Sequence, residues 1–375
     1  MKSKLTLSVH SGSWGDPQFK GVTNPIYTAS AYDYRDVPAT IYPRYFNAPN
    51  QKAVAQKIAD LEQAEDGLIF SSGMAAIMTS LFAFLKQGDH AIFQSDLYGG
   101  TFHALINELP RYGIEFDFVD AQNPETFKLA IKSNTKVIYI ETPSNPLLKV
   151  TDISAVASIA KSQGIITMID NTFASPVNQN PFELGIDIVL HSGTKYLGGH
   201  SDLSCGAMLA SKIHAKQVWE SAIHFGAQLE PSVCYLLERS IKTLVLRVRQ
   251  QNSNALDVAN FLTTHPNVKE VNYPGLVSHP SHEIAKKQMK GGFGGMLSFV
   301  PSNDANLFVK KLSLIKTAIS LGGVESTISS PMLTSHAKMS AEERAKAGIS
   351  DNLLRLSVGI EDPADLIADL NNALN

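Results

Sequence analysis

The chain predicts a mostly parallel α/β sheet with helices on both faces, followed by a smaller α+β unit. Three features carry this reading. From about residue 52 to residue 200, apolar runs of strand length alternate with stretches of helical period, as in a parallel sheet covered on both sides. The runs at 165–169 and 186–190 are rich in β-branched residues, and polar clusters follow them. From Val268 the pattern starts again with fewer and more mixed elements.

Residues 1–48 read as an irregular arm. Asn24-Pro25, Val37-Pro38 and Tyr42-Pro43 interrupt any period, and residues 24–47 are dense in Tyr, Pro and Asn. Such an arm is costly to leave in water and predicts packing on another subunit. Val54, Ile58 and Leu61 then recur at helical spacing. A strand is expected over 67–70, a helix over 74–85, strands over 90–93, 114–119 and 136–140, and a helix over 154–161. The strands 165–169 and 186–190 follow. Helical patterns cover 213–224 and 232–253, the second carrying Arg239, Lys242, Arg247 and Arg249 as a bridge between two domains. The last part reads as strand 268–273 closed by Pro274-Gly275, strand 296–300, helix 305–312, strand 353–358 and helix 364–374. The expected organisation is an arm over 1–48, an α/β domain over 49–250 and an α+β domain over 251–375.

Composition narrows the class. The 375 residues are 44% hydrophobic and 18% charged, enough to bury a sizeable core. A formal net charge of −3 gives no field to draw nucleic acid or an anionic membrane. Cys205 and Cys234 are far apart and lack CxxC spacing, so neither a disulfide framework nor a metal site is signalled. Residues 1–14 lack a signal peptide's apolar core, and no apolar stretch reaches membrane length. A cytoplasmic enzyme of small molecules, without nucleic-acid or membrane partners, is the expectation.

In parallel sheets ligands bind beyond the carboxyl ends of strands, so chemistry is sought there. Two such ends carry Asp170-Asn171-Thr172 and His191-Ser192-Gly193-Thr194-Lys195-Tyr196. They bring a carboxylate and a lysine to one rim. Pyridoxal phosphate (PLP) needs this pair: the lysine to hold its aldehyde, the carboxylate to keep its ring nitrogen protonated. Ser192 and Thr194 offer hydroxyls for a phosphate. Ser71-Ser72-Gly73-Met74 reads as a strand turning into a helix, whose first N–H groups suit an anion, with Gly73 permitting close approach. Tyr98, in Ser95-Asp96-Leu97-Tyr98-Gly99-Gly100, can stack on a ring and pass protons. Asn145, in Glu141-Thr142-Pro143-Ser144-Asn145-Pro146, can donate to the ring oxygen or to a substrate carboxylate. Arg355 sits in an apolar run and suits an α-carboxylate bidentately. The turn from Ser320 to Ser326 suits the far end of a substrate.

Together these segments resemble the family of cystathionine γ-synthase, cystathionine γ-lyase and methionine γ-lyase, over nearly the whole chain. The resemblance implies a fold-type I PLP-dependent transferase fold and a homotetramer of two tight dimers with shared active sites. It implies Lys195 as Schiff-base lysine, Asp170 as ring-nitrogen partner and Tyr98 stacked on the ring. Gly73, Met74, Ser192 and Thr194 would hold the phosphate, and Asn145, Ser320 and Arg355 the substrate. Tyr42-Pro43-Arg44 matches the family's arm motif, so Tyr42 and Arg44 would reach a neighbour's phosphate. The following Asn47-Ala48-Pro49-Asn50 departs from it by an insertion and an Asn in place of Thr.

Within the family, Gly100 stands where many methionine γ-lyases have cysteine, and Leu321 where cystathionine β-lyases tend to have tryptophan. Glu325 resembles an acidic residue of γ-acting members. The resemblance therefore points to γ-elimination on cystathionine or a related sulfur amino acid. γ-Replacement on an O-acylated homoserine, methionine cleavage and amino transfer are the alternatives.

Overall fold

A computed structural model describes residues 2–335, 337 and 340–375. Seven strands form the larger sheet: β1 (Asp66–Phe70), β2 (His90–Gln94), β3 (Glu115–Val119), β4 (Thr135–Glu141), β5 (Ile166–Asp170), β6 (Ile188–Ser192) and β7 (Gly206–Ala210). Their order is β1-β7-β6-β5-β4-β2-β3. β1 to β6 point the same way; β7 alone runs against its neighbours. The carboxyl ends of six strands thus share one rim. Helices Pro49–Glu62 and Ile153–Ser162 pack their apolar stripes on one face, Gly73–Phe84 and Lys212–Phe225 on the other. Covered on both sides, every residue of β2 and β7 is buried.

A second sheet has the order β10-β11-β12-β9-β8, from β8 (Val268–Asn272), β9 (Met296–Pro301), β10 (Lys316–Thr317), β11 (Thr327–Ser329) and β12 (Leu354–Ser357). The helix Leu244–Thr264 touches β8, β9 and the C-terminal helix Pro363–Leu374, and also the short helix Ser175–Asn178 beside the larger sheet. It links the two sheets mechanically.

The helices Gly99–Glu108, Glu125–Ala130 and His282–Gln288 and the strands β10 and β11 go beyond the sequence reading, and three further elements differ from it. The arm contains a helix, Lys4–His10, which its alternating Leu5-Thr6-Leu7-Ser8-Val9 does not announce. The helix is made by its ends: Ser3 caps its first turn, and the buried Lys57 ammonium donates to Ser8 and Val9 carbonyls at 3.2 Å each. The pattern at 232–253 is two helices, Pro231–Ile241 and Leu244–Thr264. They break where the Arg247 guanidinium takes the Ser240 carbonyl and the Thr243 hydroxyl. The sequence does not signal β7, because Gly-Ala-Met-Leu-Ala has no β-branched residue; two flanking strands impose it. Among the described residues, no helix is long and apolar enough to cross a membrane.

Candidate active site

β5 and β6 run side by side with Asp170 opposite Leu190, so their ends deliver Asp170 and the Ser192–Lys195 loop to the same place. Thr172 laces the two ends together. Its N–H donates to Asp170 Oδ1 at 2.9 Å, and its Oγ1 accepts the Ser192 N–H at 2.8 Å. A cavity of about 580 Å³ opens here, a size usual for small-molecule sites. Gly73, Met74, Tyr98, Asn145, Asp170, Ser192, Thr194, Lys195, Ser320 and Arg355 all line it.

One end of the cavity is built for an anion. The helix Gly73–Phe84 starts against the Ser192 loop, and a Cβ at residue 73 would lie 2.9 Å from Ser192 Cβ. Only glycine lets the two backbones approach this closely. Ser72 Oγ is used as the helix cap, accepting the Ala75 N–H at 3.1 Å. The N–H groups of Gly73 and Met74 have no partner within the helix and carry its positive end. Ser192 adds a hydroxyl. Thr194 is more committed than its sequence position suggests, because its Oγ1 is bonded to both the carbonyl and the N–H of Cys205.

At the centre, Lys195 Nζ donates to Ser320 Oγ at 2.7 Å. Burial, with the Arg355 charge adding to it and Asp170 opposing, brings the Lys195 amine down to about 8. Ser320 itself holds a left-handed backbone, φ 78°, a conformation that costs about 1 to 3 kcal/mol and persists only when neighbours enforce it. Burial pushes the Asp170 carboxyl up, while the Thr172 hydrogen bonds and the His191 and Lys195 charges pull it back. Glu141, which the sequence motif contained but to which no role was given, also lines the cavity. Burial and the Asp170 charge push its carboxyl up further.

At the far end, Arg355 enters from β12 and is 7% exposed. Its Nη1 donates to Asn145 Oδ1 at 3.0 Å and its Nη2 to the Ser320 carbonyl at 3.2 Å. Asp351 is bonded to Arg344, and Glu361 to Ser326, so neither nearby acid serves Arg355. Among the described residues no carboxylate forms an ion pair with it. Tyr98 borders the opening, 47% exposed, with its N–H on Glu141 Oε2 at 2.8 Å. Leu321 lines the cavity, whereas Glu325 is exposed and outside it.

Tyr42 and Arg44 are not in this cavity. Both are exposed, the Arg44 guanidinium lying 5.5 Å and 5.2 Å from the Tyr42 and Tyr45 ring centres and donating to the Ile223 carbonyl. Thr172 and Glu141 are the site residues that sequence reading left without a role. Both follow or end strands of the rim, which was the available signal.

Residues 5–375 match the family described as Cys/Met metabolism PLP-dependent enzyme. The chain is 45% identical to cystathionine gamma-lyase of Bacillus subtilis over 381 residues, covering 99% of both chains. It is 46% identical to cystathionine beta-lyase of Lactococcus lactis subsp. cremoris over 379 residues, covering 100% of this chain and 99% of that one. The crystal structure of cystathionine gamma-lyase from Lactobacillus plantarum complexed with L-serine superposes with a TM-score of 0.95 at 40% identity, over 99% of this chain and 98% of that one.

Proposed function

The chain belongs to the family of Cys/Met metabolism PLP-dependent enzymes, and on that premise we propose that it cleaves cystathionine or a related sulfur amino acid by γ-elimination. One observation carries the proposal. A single cavity unites an amine, a buried carboxyl, an anion-binding helix start and an unpaired guanidinium.

The residues fit PLP. The lysine amine stands in the cavity, brought down to about 8 by burial, the helix start is a cradle that a Cβ at residue 73 would fill, and Asp170 is buried with charge-assisting partners. In this reading Lys195 would carry the cofactor, Gly73, Met74, Ser192 and Thr194 would hold its phosphate, and Asp170 would serve its ring nitrogen. When bound, PLP supplies an electron sink for the substrate α-carbon. The chain's residues do the rest. Arg355 takes the α-carboxylate in two parallel hydrogen bonds, with Asn145 steadying the guanidinium. Lys195, whose amine burial brings down to about 8, would remove the Cα proton, and a Cβ proton must then leave before the γ-sulfur departs; Ser320 Oγ orients the Lys195 Nζ. Tyr98, at the opening, is placed to return a proton to the departing sulfur.

Leu321 supports γ-cleavage, since it leaves room where a tryptophan would narrow the far end. Glu325 lends no support from its exposed position. β-Cleavage is a second reading, favoured by similarity to proteins named cystathionine beta-lyase. γ-Replacement, methionine cleavage and amino transfer stay as outcomes of the same test. That test is product analysis with cystathionine, methionine, cysteine and O-acylated homoserine in parallel. γ-Elimination of cystathionine releases cysteine, 2-oxobutyrate and ammonia; β-elimination releases homocysteine, pyruvate and ammonia. Pyruvate in place of 2-oxobutyrate would overturn the γ assignment.

The proposal includes a homotetramer of two tight dimers in the cytoplasm. Phe19, Val22 and Tyr34 of the arm are more than three-quarters exposed in the single chain, apolar surface that a second copy would cover. Tyr42 and Arg44 lie on the same arm and would complete a neighbour's phosphate site.

A further inference from the structure

Glu141 ends β4 as Asp170 ends β5, and the two are register partners on adjacent parallel strands. Partners in register leave a sheet on the same face, so two carboxyls stand side by side in the cavity wall. Both residues are buried. Neighbouring carboxyls in such surroundings do not both ionise.

Their contacts decide which one keeps a proton. Asp170 accepts the Thr172 N–H and has Lys195 and His191 nearby. Glu141 faces two acids, Asp170 and Asp96, with the Arg355 charge and the Tyr139 phenol also near. Its Oε2 accepts one N–H, that of Tyr98, and its Oε1 makes no hydrogen bond among the described residues. The backbone that carries this carboxyl is held on both sides. The Glu141 N–H donates to Gln94 Oε1 at 2.9 Å, and Gln94 Nε2 donates back to the Glu141 carbonyl at 2.7 Å.

We propose that Glu141 is the proton-bearing member of this pair and positions Tyr98 through its backbone N–H, leaving the ionised place to Asp170. The assignment rests on Asp170 facing the ring nitrogen. A second negative charge beside Asp170 would alter the electrostatics of the cofactor. A neutral acid holds the Tyr98 turn without adding one.

The test compares wild-type, Glu141→Gln and Glu141→Ala holoenzymes. Glutamine keeps the neutral shape and an acceptor for Tyr98; alanine keeps neither. The pH midpoint of the visible cofactor absorbance is expected to be the same in wild type and Glu141→Gln. A midpoint lowered by about one pH unit or more in Glu141→Gln would mean that a carboxylate had been removed, and would overturn the assignment. Alanine is expected to lower kcat on the order of tenfold with little change in KM, and glutamine to restore most of that loss. Equal kcat in alanine and wild type overturns the positioning role. If Glu141→Gln does not fold, the infrared spectrum of the wild-type holoenzyme decides. A buried protonated carboxyl band at neutral pH supports the assignment, and its absence sinks it. Asp170→Asn, measured beside these, separates the two ideas. Full kcat in Asp170→Asn defeats the ring-nitrogen reading itself; a displaced Glu141→Gln midpoint with an inactive Asp170→Asn defeats the Glu141 assignment alone.

Discussion

Arg355 Nη1 donates to Asn145 Oδ1 at 3.0 Å, across 210 residues of sequence, and no carboxylate among the described residues neutralises that guanidinium. A buried charge held by an amide and a carbonyl is oriented but not paired. The remaining donors are free for a planar anion. This geometry makes Arg355 the test of substrate class.

Arg355→Ala is expected to lower kcat/KM by roughly tens to thousands-fold, from the loss of about 2 to 5 kcal/mol of a buried charge contact. Arg355→Lys is expected to be impaired too, because an ammonium has no planar fork. Cofactor absorbance should persist in both, since the phosphate site is at the other end. Steady-state kinetics beside the visible spectrum checks this. Unchanged efficiency with every amino-acid substrate would make Arg355 structural.

Purified wild type is expected to be yellow, and Lys195→Ala to lose the absorbance of lysine-bound cofactor. Absorbance spectra of both proteins, before and after adding PLP, are the measurement. A colourless wild type that also fails to bind added PLP would defeat the cofactor site.

The depressed Lys195 amine has a consequence for pH. Below about 8 the ammonium predominates in the cofactor-free protein and must lose a proton before it can attack an aldehyde. Capture of PLP by apoenzyme is expected to quicken about tenfold per pH unit up to about 8 and then level off. Stopped-flow absorbance across this range reads the midpoint. A rate still climbing at pH 10 would mean that the amine is not depressed.

Arg44 lies outside its own chain's cavity, beside exposed Tyr42. Arg44→Ala is therefore expected to weaken cofactor retention only through a neighbouring copy. Cofactor content after dialysis, measured with the sedimentation mass, checks this. A fully active wild-type monomer would remove the shared-site idea.

The sequence by itself determined six of the seven strands of the large sheet and the rim on which chemistry sits. Strand-length apolar runs followed by polar turns encode both, because a strand buried on two faces tolerates polar side chains only at its ends. It also carried ten of the residues that line the cavity, each adjacent to a readable strand or turn. Tertiary structure decided the rest. β7 exists because β1 and β6 flank it, not because Gly206–Ala210 prefers extension. The Lys4–His10 helix is fixed by Lys57, forty-nine residues from Ser8. Glu141 became a site residue only when β4 came to lie in register with β5, beside Asp170. Local sequence records what each segment prefers, whereas a charge pair, an imposed strand or a borrowed cap depends on which distant segment lies alongside, and that is set by packing.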